Sequence, residues 1–292
     1  MKIGWIGTGV MGSSMAGHVQ AAGHEMYVYN RSREKASVLL EKGAVWCDTP
    51  AAVAAEAEAV FTIVGFPSDV EEVYFGPEGV FSAGGACRTV IDMTTTKPSL
   101  AVRIAEKAAG LKVDALDAPV SGGDIGAREG TLVIMVGGTE GAMEKMMPVF
   151  QCMGSRITFM GGPGAGQHTK MCNQILVSGT MISVCESLLY AAKVGLDQQQ
   201  VIDVIGKGAA GSWSINNLGP RVVKGDFSSG FYVEHFIKDM GIALAEAEAM
   251  GLSLPGLALV HQLYVAVKAQ GHGRSATQAL YLALKALSEQ AS

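Results

Sequence analysis

Apolar positions in the first half of the chain fall into short β-branched runs, separated by stretches whose apolar residues recur at helical spacing. The runs predict strands over residues 2–6, 25–29, 60–64, 89–92, 112–118, 132–136 and 156–159. Helices are predicted between them, over 10–22, 50–57, 98–109 and 140–153. Alternation of this kind builds a mostly parallel sheet covered on both faces, an α/β doubly wound architecture. It stops at Gly161-Gly162-Pro163-Gly164-Ala165-Gly166. Beyond that hinge only helical patterns follow, over 167–194, 197–207, 233–250, 256–270 and 275–288. Two domains are expected: 1–162 with the sheet and an all-helical 163–292.

The predicted 167–194 helix is about 42 Å long at 1.5 Å per residue. It is apolar around most of its circumference. Such a helix needs cover on every side, more than a helical domain of this size supplies alone. A subunit interface, and so a homo-oligomer, is therefore expected, the alternative being the central helix of a monomeric bundle. The uncharged stretch from Met171 to Cys185 is too short to cross a bilayer and is closed by Lys170 and Glu186, so no membrane span is predicted.

Composition narrows the class. Hydrophobic residues make up 49% and charged residues 17% of 292, which favours packed cores over disorder. The formal net charge of −5, without a dense basic run, argues against a nucleic-acid partner. Met1-Lys2-Ile3 enters the first strand directly, so no leader is expected and the cytoplasm is the expected compartment. Cys47, Cys87, Cys152, Cys172 and Cys185 form no C-x-x-C or Cys/His cluster. They read as reduced thiols, and no metal is expected.

Gly7-Thr8-Gly9-Val10-Met11-Gly12 sits between the first strand and the first helix, with a second strand next, so the G-x-G-x-x-G spacing has a complete βαβ context. This makes the sheet Rossmann-type, with Gly7 for the tight turn, Gly9 for pyrophosphate approach and Gly12 for helix–strand packing. The phosphates would meet the helix N-terminus. At the end of the second strand an NAD site usually carries a carboxylate; this chain has Asn30, followed by Arg31 and Ser32. A guanidinium there suits a 2′-phosphate, which favours NADP, with NAD possible. The alternative is a turn begun by Asn30 with solvated arginines.

Three further segments carry candidate chemistry. Asp117-Ala118-Pro119-Val120-Ser121-Gly122-Gly123 is a strand end entering a glycine-rich turn, whose amides and Ser121 hydroxyl suit a carboxylate. Lys170 and Asn173 share a helix face at the start of the apolar helix. An ammonium there could exchange a proton with a carbonyl oxygen as hydride moves, or it could be a solvated residue; pattern alone does not decide. Lys238-Asp239, beside His235, reads as a surface pair. No nucleophile-elbow motif supports a Ser/His/Asp hydrolase.

Together these segments resemble the β-hydroxyacid dehydrogenase family, whose best-known member is 3-hydroxyisobutyrate dehydrogenase. The likeness runs through Gly7–Gly12 with Met15-Ala16, Asp92-Met93-Thr94-Thr95, the 117–123 segment, Gly164-Ala165-Gly166 with Lys170 and Asn173, and Lys238-Asp239. The resemblance implies an oxidoreductase acting on a small carboxylate-bearing hydroxyacid or its semialdehyde, in a cleft between two domains. It implies Lys170 as acid/base with Asn173 beside it, and Ser121, Gly122 and Gly123 on the substrate carboxylate. Thr95 and Lys238 would approach cofactor and substrate, Phe66-Pro67 would lie along the dinucleotide, and Phe231 and Asp239 would complete the pocket. His18 stands where the family often has Asn. Asn30-Arg31-Ser32 looks like the NADP-using branches, which include glyoxylate and succinic semialdehyde reductases, whereas Gly211-Ser212-Trp213-Ser214 looks like the 3-hydroxyisobutyrate branch. Other readings are a non-catalytic NADP-binding sensor or scaffold, and an imine reductase, which the presence of Lys170 disfavours.

Overall fold

The computed structural model describes residues 1–228 and 230–289. The chain divides into two compact units, Met1–Lys170 and Met171–Ser292. The first is α/β. Its strands are β1 (Lys2–Ile6), β2 (Glu25–Tyr29), β3 (Val45–Trp46), β4 (Ala59–Thr62), β5 (Thr89–Asp92), β6 (Asp114–Asp117), β7 (Val120–Ser121), β8 (Leu132–Gly137) and β9 (Gly154–Gly161). Helices α1 (Val10–Ala21), α2 (Ser37–Glu41), α3 (Pro50–Glu56), α4 (Pro67–Phe75), α5 (Pro98–Gly110), α6 (Gly123–Glu129) and α7 (Glu140–Phe150) connect them.

The order β3-β2-β1-β4-β5-β6 is parallel throughout. At its far edge β8 runs antiparallel to β6 and β7 and parallel to β9. This is the expected doubly wound sheet. Its period-2 pleat divides the core: Ile3 and Trp5 face one layer with Phe61 and Ile91, while Ile6 faces the other with Val60 and Val90. The buried Trp5 ring stacks on Phe61 at 5.4 Å, and its Nε1 donates to the Gly7 carbonyl at 3.0 Å. Core packing thus reaches into the glycine-rich loop.

Helix α8 (Ala165–Lys193) starts in the first unit and continues into the second. There α9 (Gln198–Ile205), α10 (Trp213–Asn217), α11 (Gly219–Val223), α12 (Val233–Ala249), α13 (Pro255–Val267) and α14 (Leu280–Glu289) complete an all-helical unit. Its core holds Met181, Cys185, Leu188, Phe236, Met240 and Tyr264. Phe236 and Tyr264 meet edge to face at 5.0 Å, and the Tyr264 hydroxyl donates to Thr277 O at 2.8 Å.

As expected of a helical unit this small, one chain does not cover α8 all round. Burial follows the helical period: Met181, Val184, Cys185 and Leu188 are inside, whereas Leu176 is 72% and Tyr190 71% exposed. The sequence hides this amphipathicity because the outward positions are themselves apolar or small. Among the described residues α8 as a whole is also the one helix long and apolar enough to cross a membrane, although the uncharged stretch within it, 171–185, is the part read above as too short. Its inward residues are committed to the helical core.

Cys172 lies on the exposed side of α8, while Cys47 and Cys185 are buried. Burial pushes the Cys87 thiol up to about 11 and raises those of Cys47 and Cys185.

Candidate active site

The glycine-rich loop separates two kinds of closeness. Gly7 adopts φ +98°, and a Cβ there would lie 2.0 Å from the Ile63 carbonyl oxygen. A Cβ on Gly12 would lie 2.1 Å from the Gly7 carbonyl oxygen. Both glycines are therefore demanded by the protein's own packing. Gly9 differs: nothing lies within 4 Å of where its Cβ would be. It precedes the first turn of α1 without any side-chain cap, so backbone amides and open space coincide there. That combination fits a dinucleotide pyrophosphate.

Asn30 is structural. Its Oδ1 accepts from the Thr8 amide at 3.0 Å and its Nδ2 donates to Ser32 O at 2.9 Å, tying the end of β2 to the loop. Arg31 is 80% exposed and pairs with Asp69 at 3.1 Å. The other Asp69 oxygen accepts from the Phe66 amide at 3.1 Å, and Pro67 opens α4. Phe66, Pro67, Arg31 and Asn30 are thereby linked around one end of the loop. His18 Nε2 donates to Ala127 O and Arg128 O at 3.1 and 3.0 Å and so bolts α1 to the end of α6.

A second group gathers where β5, β6 and β7 end and α8 begins. Asp117 accepts from the amides of Gly164 and Gln167, both at 2.8 Å, and so caps the start of α8. Burial pushes its carboxyl up to about 6 against the opposing pull of those N–H groups. Gln167, fully buried, donates to Thr94 O at 2.7 Å and accepts from the Thr96 amide at 3.1 Å. Thr95 lies between those two contacts, half-buried. Lys170 is 8% exposed, and its Nζ donates to Val120 O at 2.7 Å. A cation near a helix start opposes the helix dipole; the carbonyl offsets that cost and fixes the ammonium beside Ser121. Gly122 and Gly123 take φ of +129° and +63° as the chain turns from β7 into α6. The solvated reading of Lys170 is excluded.

The second unit holds a buried polar chain. Asn173 donates to Gln174 at 2.7 Å, Gln174 donates to Asp239 at 2.6 Å, and Asp239 pairs with Lys238 at 3.1 Å. Asp239 is 1% exposed and Lys238 12%, so the expected surface pair is a buried one. Side-chain periodicity could not show this, because both residues face inward from an otherwise amphipathic α12. Phe231 stands outside the chain of bonds, its ring 5.5 Å from Phe236. Half-burial and the neighbouring Lys238 keep His235 below the usual imidazole range.

Gln167, Gln174 and Asp69 were not foreseen as site residues. The available signal was spacing: Gln167 and Gln174 stand three before and four after Lys170, on its own face of α8.

Comparisons with known proteins show the family. Residues 2–162 match the NAD binding domain of 6-phosphogluconate dehydrogenase. Residues 164–284 match the NAD-binding domain of NADP-dependent 3-hydroxyisobutyrate dehydrogenase. The chain is 50% identical to a probable 3-hydroxyisobutyrate dehydrogenase-like protein of Arabidopsis thaliana, over 98% of this chain and 86% of that one. It is 40% identical to 2-hydroxy-3-oxopropionate reductase of Escherichia coli, over 98% and 97%. The solved 3-hydroxyisobutyrate dehydrogenase of Mycobacterium tuberculosis, with L-serine, superposes with a TM-score of 0.87 at 29% identity, covering 97% of this chain and 98% of that one. With its dinucleotide loop, doubly wound sheet and helical second unit, the chain belongs to the β-hydroxyacid dehydrogenase family, an NAD(P)-binding oxidoreductase of the 3-hydroxyisobutyrate dehydrogenase type.

Proposed function

We propose that the protein is an NADP-preferring oxidoreductase that interconverts a three- or four-carbon hydroxyacid and its semialdehyde, with glyoxylate as a further substrate candidate. The observation that carries this reading is Lys170: a nearly buried ammonium held on Val120 O beside Ser121. The name of the E. coli relative, a reductase of a three-carbon oxoacid, supports the substrate class.

The nicotinamide, when bound, supplies or accepts the hydride. Gly7 to Gly12 hold the pyrophosphate, with Thr8, Val10 and Met11 contributing backbone, and Asn30, Arg31 and Ser32 hold the 2′-phosphate end. Phe66-Pro67 flank the dinucleotide. Ser121, Gly122 and Gly123 bind the substrate carboxylate. Lys170 gives its proton to the carbonyl oxygen in reduction and takes it back in oxidation, with Asn173 orienting that oxygen. Thr95 and Lys238 sit at the cofactor–substrate junction, and Phe231 and Asp239 shape the remaining wall. Residues 1–162 serve the nucleotide; residues 163–292 serve substrate choice and self-association as a dimer or tetramer.

The test follows reduced-nicotinamide absorbance with a panel of short semialdehydes and glyoxylate, using NADPH and NADH. Lys170→Ala should lower turnover by about 10²–10⁴ while NADPH still binds. Near-normal turnover would remove the lysine from this role. Silence across the panel with intact NADPH binding would favour a non-catalytic NADP-binding module.

A further inference from the structure

We infer that Gln167 is a positioning residue for the reaction, one buried amide that holds Thr95 and Lys170 in mutual register. The inference rests on the proposed role of Lys170 in proton transfer.

The physical case begins where β5 ends at Asp92. Beyond it the chain leaves the sheet, so the peptide groups of Thr94 and Thr96 have no ladder partner, yet both residues are at most 2% exposed. Buried peptide groups need partners. Gln167 supplies both, donating from Nε2 to Thr94 O at 2.7 Å and accepting on Oε1 from the Thr96 amide at 3.1 Å. The two contacts bracket Thr95. A carboxamide carries its donor and its acceptor on one carbon and keeps both at any ordinary pH, so the match is to chemistry as well as size.

The same residue fixes the helix. Its backbone amide, with that of Gly164, is held by Asp117. Three residues on, Lys170 reaches Val120 O. Backbone and side chain of residue 167 therefore clamp the first turn of α8 to the ends of both β5 and β6. Displacing the amide would move the Thr95 loop relative to the ammonium, and errors of about 1 Å between reacting groups cost roughly 10²-fold in rate.

Two substitutions separate positioning from bulk packing. Gln167→Met keeps length and removes both bonds. It should lower kcat about 10–100-fold with NADPH affinity within about threefold of the parent. The Thr96 amide should exchange with solvent at least about tenfold faster, a readout that needs no substrate. Gln167→Glu adds a pH signature. A buried carboxyl titrates above its usual range; its neutral form can accept from Thr96 and donate to Thr94, whereas its charged form meets Thr94 O with lone pairs only. The ratio of Gln167→Glu to parent kcat should therefore rise as pH falls from 8 to 5.5, while the Gln167→Met ratio stays flat. Loss of the Gln167→Met effect in a Lys170→Ala background would show that the two residues act together.

Parental kcat in Gln167→Met, unchanged Thr96 exchange, a flat Gln167→Glu ratio, or the same loss with and without Lys170 would each overturn the inference. Full turnover in Lys170→Ala alone would instead overturn the assignment of the lysine.

Discussion

Arg31 lies against Asp69, so a 2′-phosphate has to take the guanidinium from a carboxylate. Magnitudes decide the contest. An exposed ion pair contributes about 0–1 kcal/mol, while a charged hydrogen bond to phosphate contributes about 1.5–3 kcal/mol. On these magnitudes the proposed phosphate contact outweighs the pair, and Arg31→Asp should lower the NADP-over-NAD ratio of kcat/KM by about 10–100-fold. An unchanged ratio would discredit the assignment of Arg31. The loop glycines give a paired expectation. Gly12→Ala forces a Cβ against the Gly7 carbonyl and should cost about 1–3 kcal/mol in urea unfolding. Gly9→Ala meets no protein atom, so stability should hold while cofactor affinity drops at least about tenfold. Equal behaviour of the two variants would contradict the division of labour in the loop. Glycine tasks were legible because they follow from spacing and flanks. Lys238-Asp239 was not, since a charged pair looks the same in sequence whether it is solvated or, as here, bonded to Gln174.

Elements were legible in proportion to length. β1, β2 and β5 fall on their expected residues because β-branched runs bounded by turns leave little choice. β3 and β7, two residues each, carry no period to read, and α6 is masked by Gly123 and Gly126. α4 had its signals, Pro67 at the first position and Asp69 two residues on, but Pro67 was read only as a residue along the dinucleotide and Asp69 was not read at all. α13 ends sooner than the 256–270 pattern, in a wider π-type turn over Lys268–His272 that contains Gly271 at φ +90°. The cap of α8 makes a pH prediction. Burial pushes Asp117 up to about 6 in the fold against 3.8 when free, so the cost of ionising it is absent below pH 3.8, grows as pH rises toward 6 and is complete above it. The size is up to about 3 kcal/mol, from the difference between those values. The stability of the parent relative to Asp117→Asn should therefore fall between pH 4 and 6.5 in urea titrations. A constant difference across that range would count against a protonated carboxyl at the cap.

At the scale of the whole molecule, the apolar outer face of α8 is the feature a single chain leaves unexplained, with Leu176 and Tyr190 open to water. Patches of this kind mark association surfaces. The parent should sediment as a dimer or tetramer, and Leu176→Lys should shift it toward smaller species; a monomeric parent would sink the expectation. The doubly wound sheet, the helical second half and their order were all readable from periodicity. Self-association was suggested by the apolarity of α8, and within one chain that apolarity divides into one inward and one outward face. Cys172 lies on that outward face, one residue before Asn173, while two of the other thiols are shut inside. The chain thus carries its own reporter: a maleimide dye would find position 172 quickly on an uncovered surface and slowly on a covered one, so labelling kinetics at a natural residue would time the exposure of this face without any engineered handle.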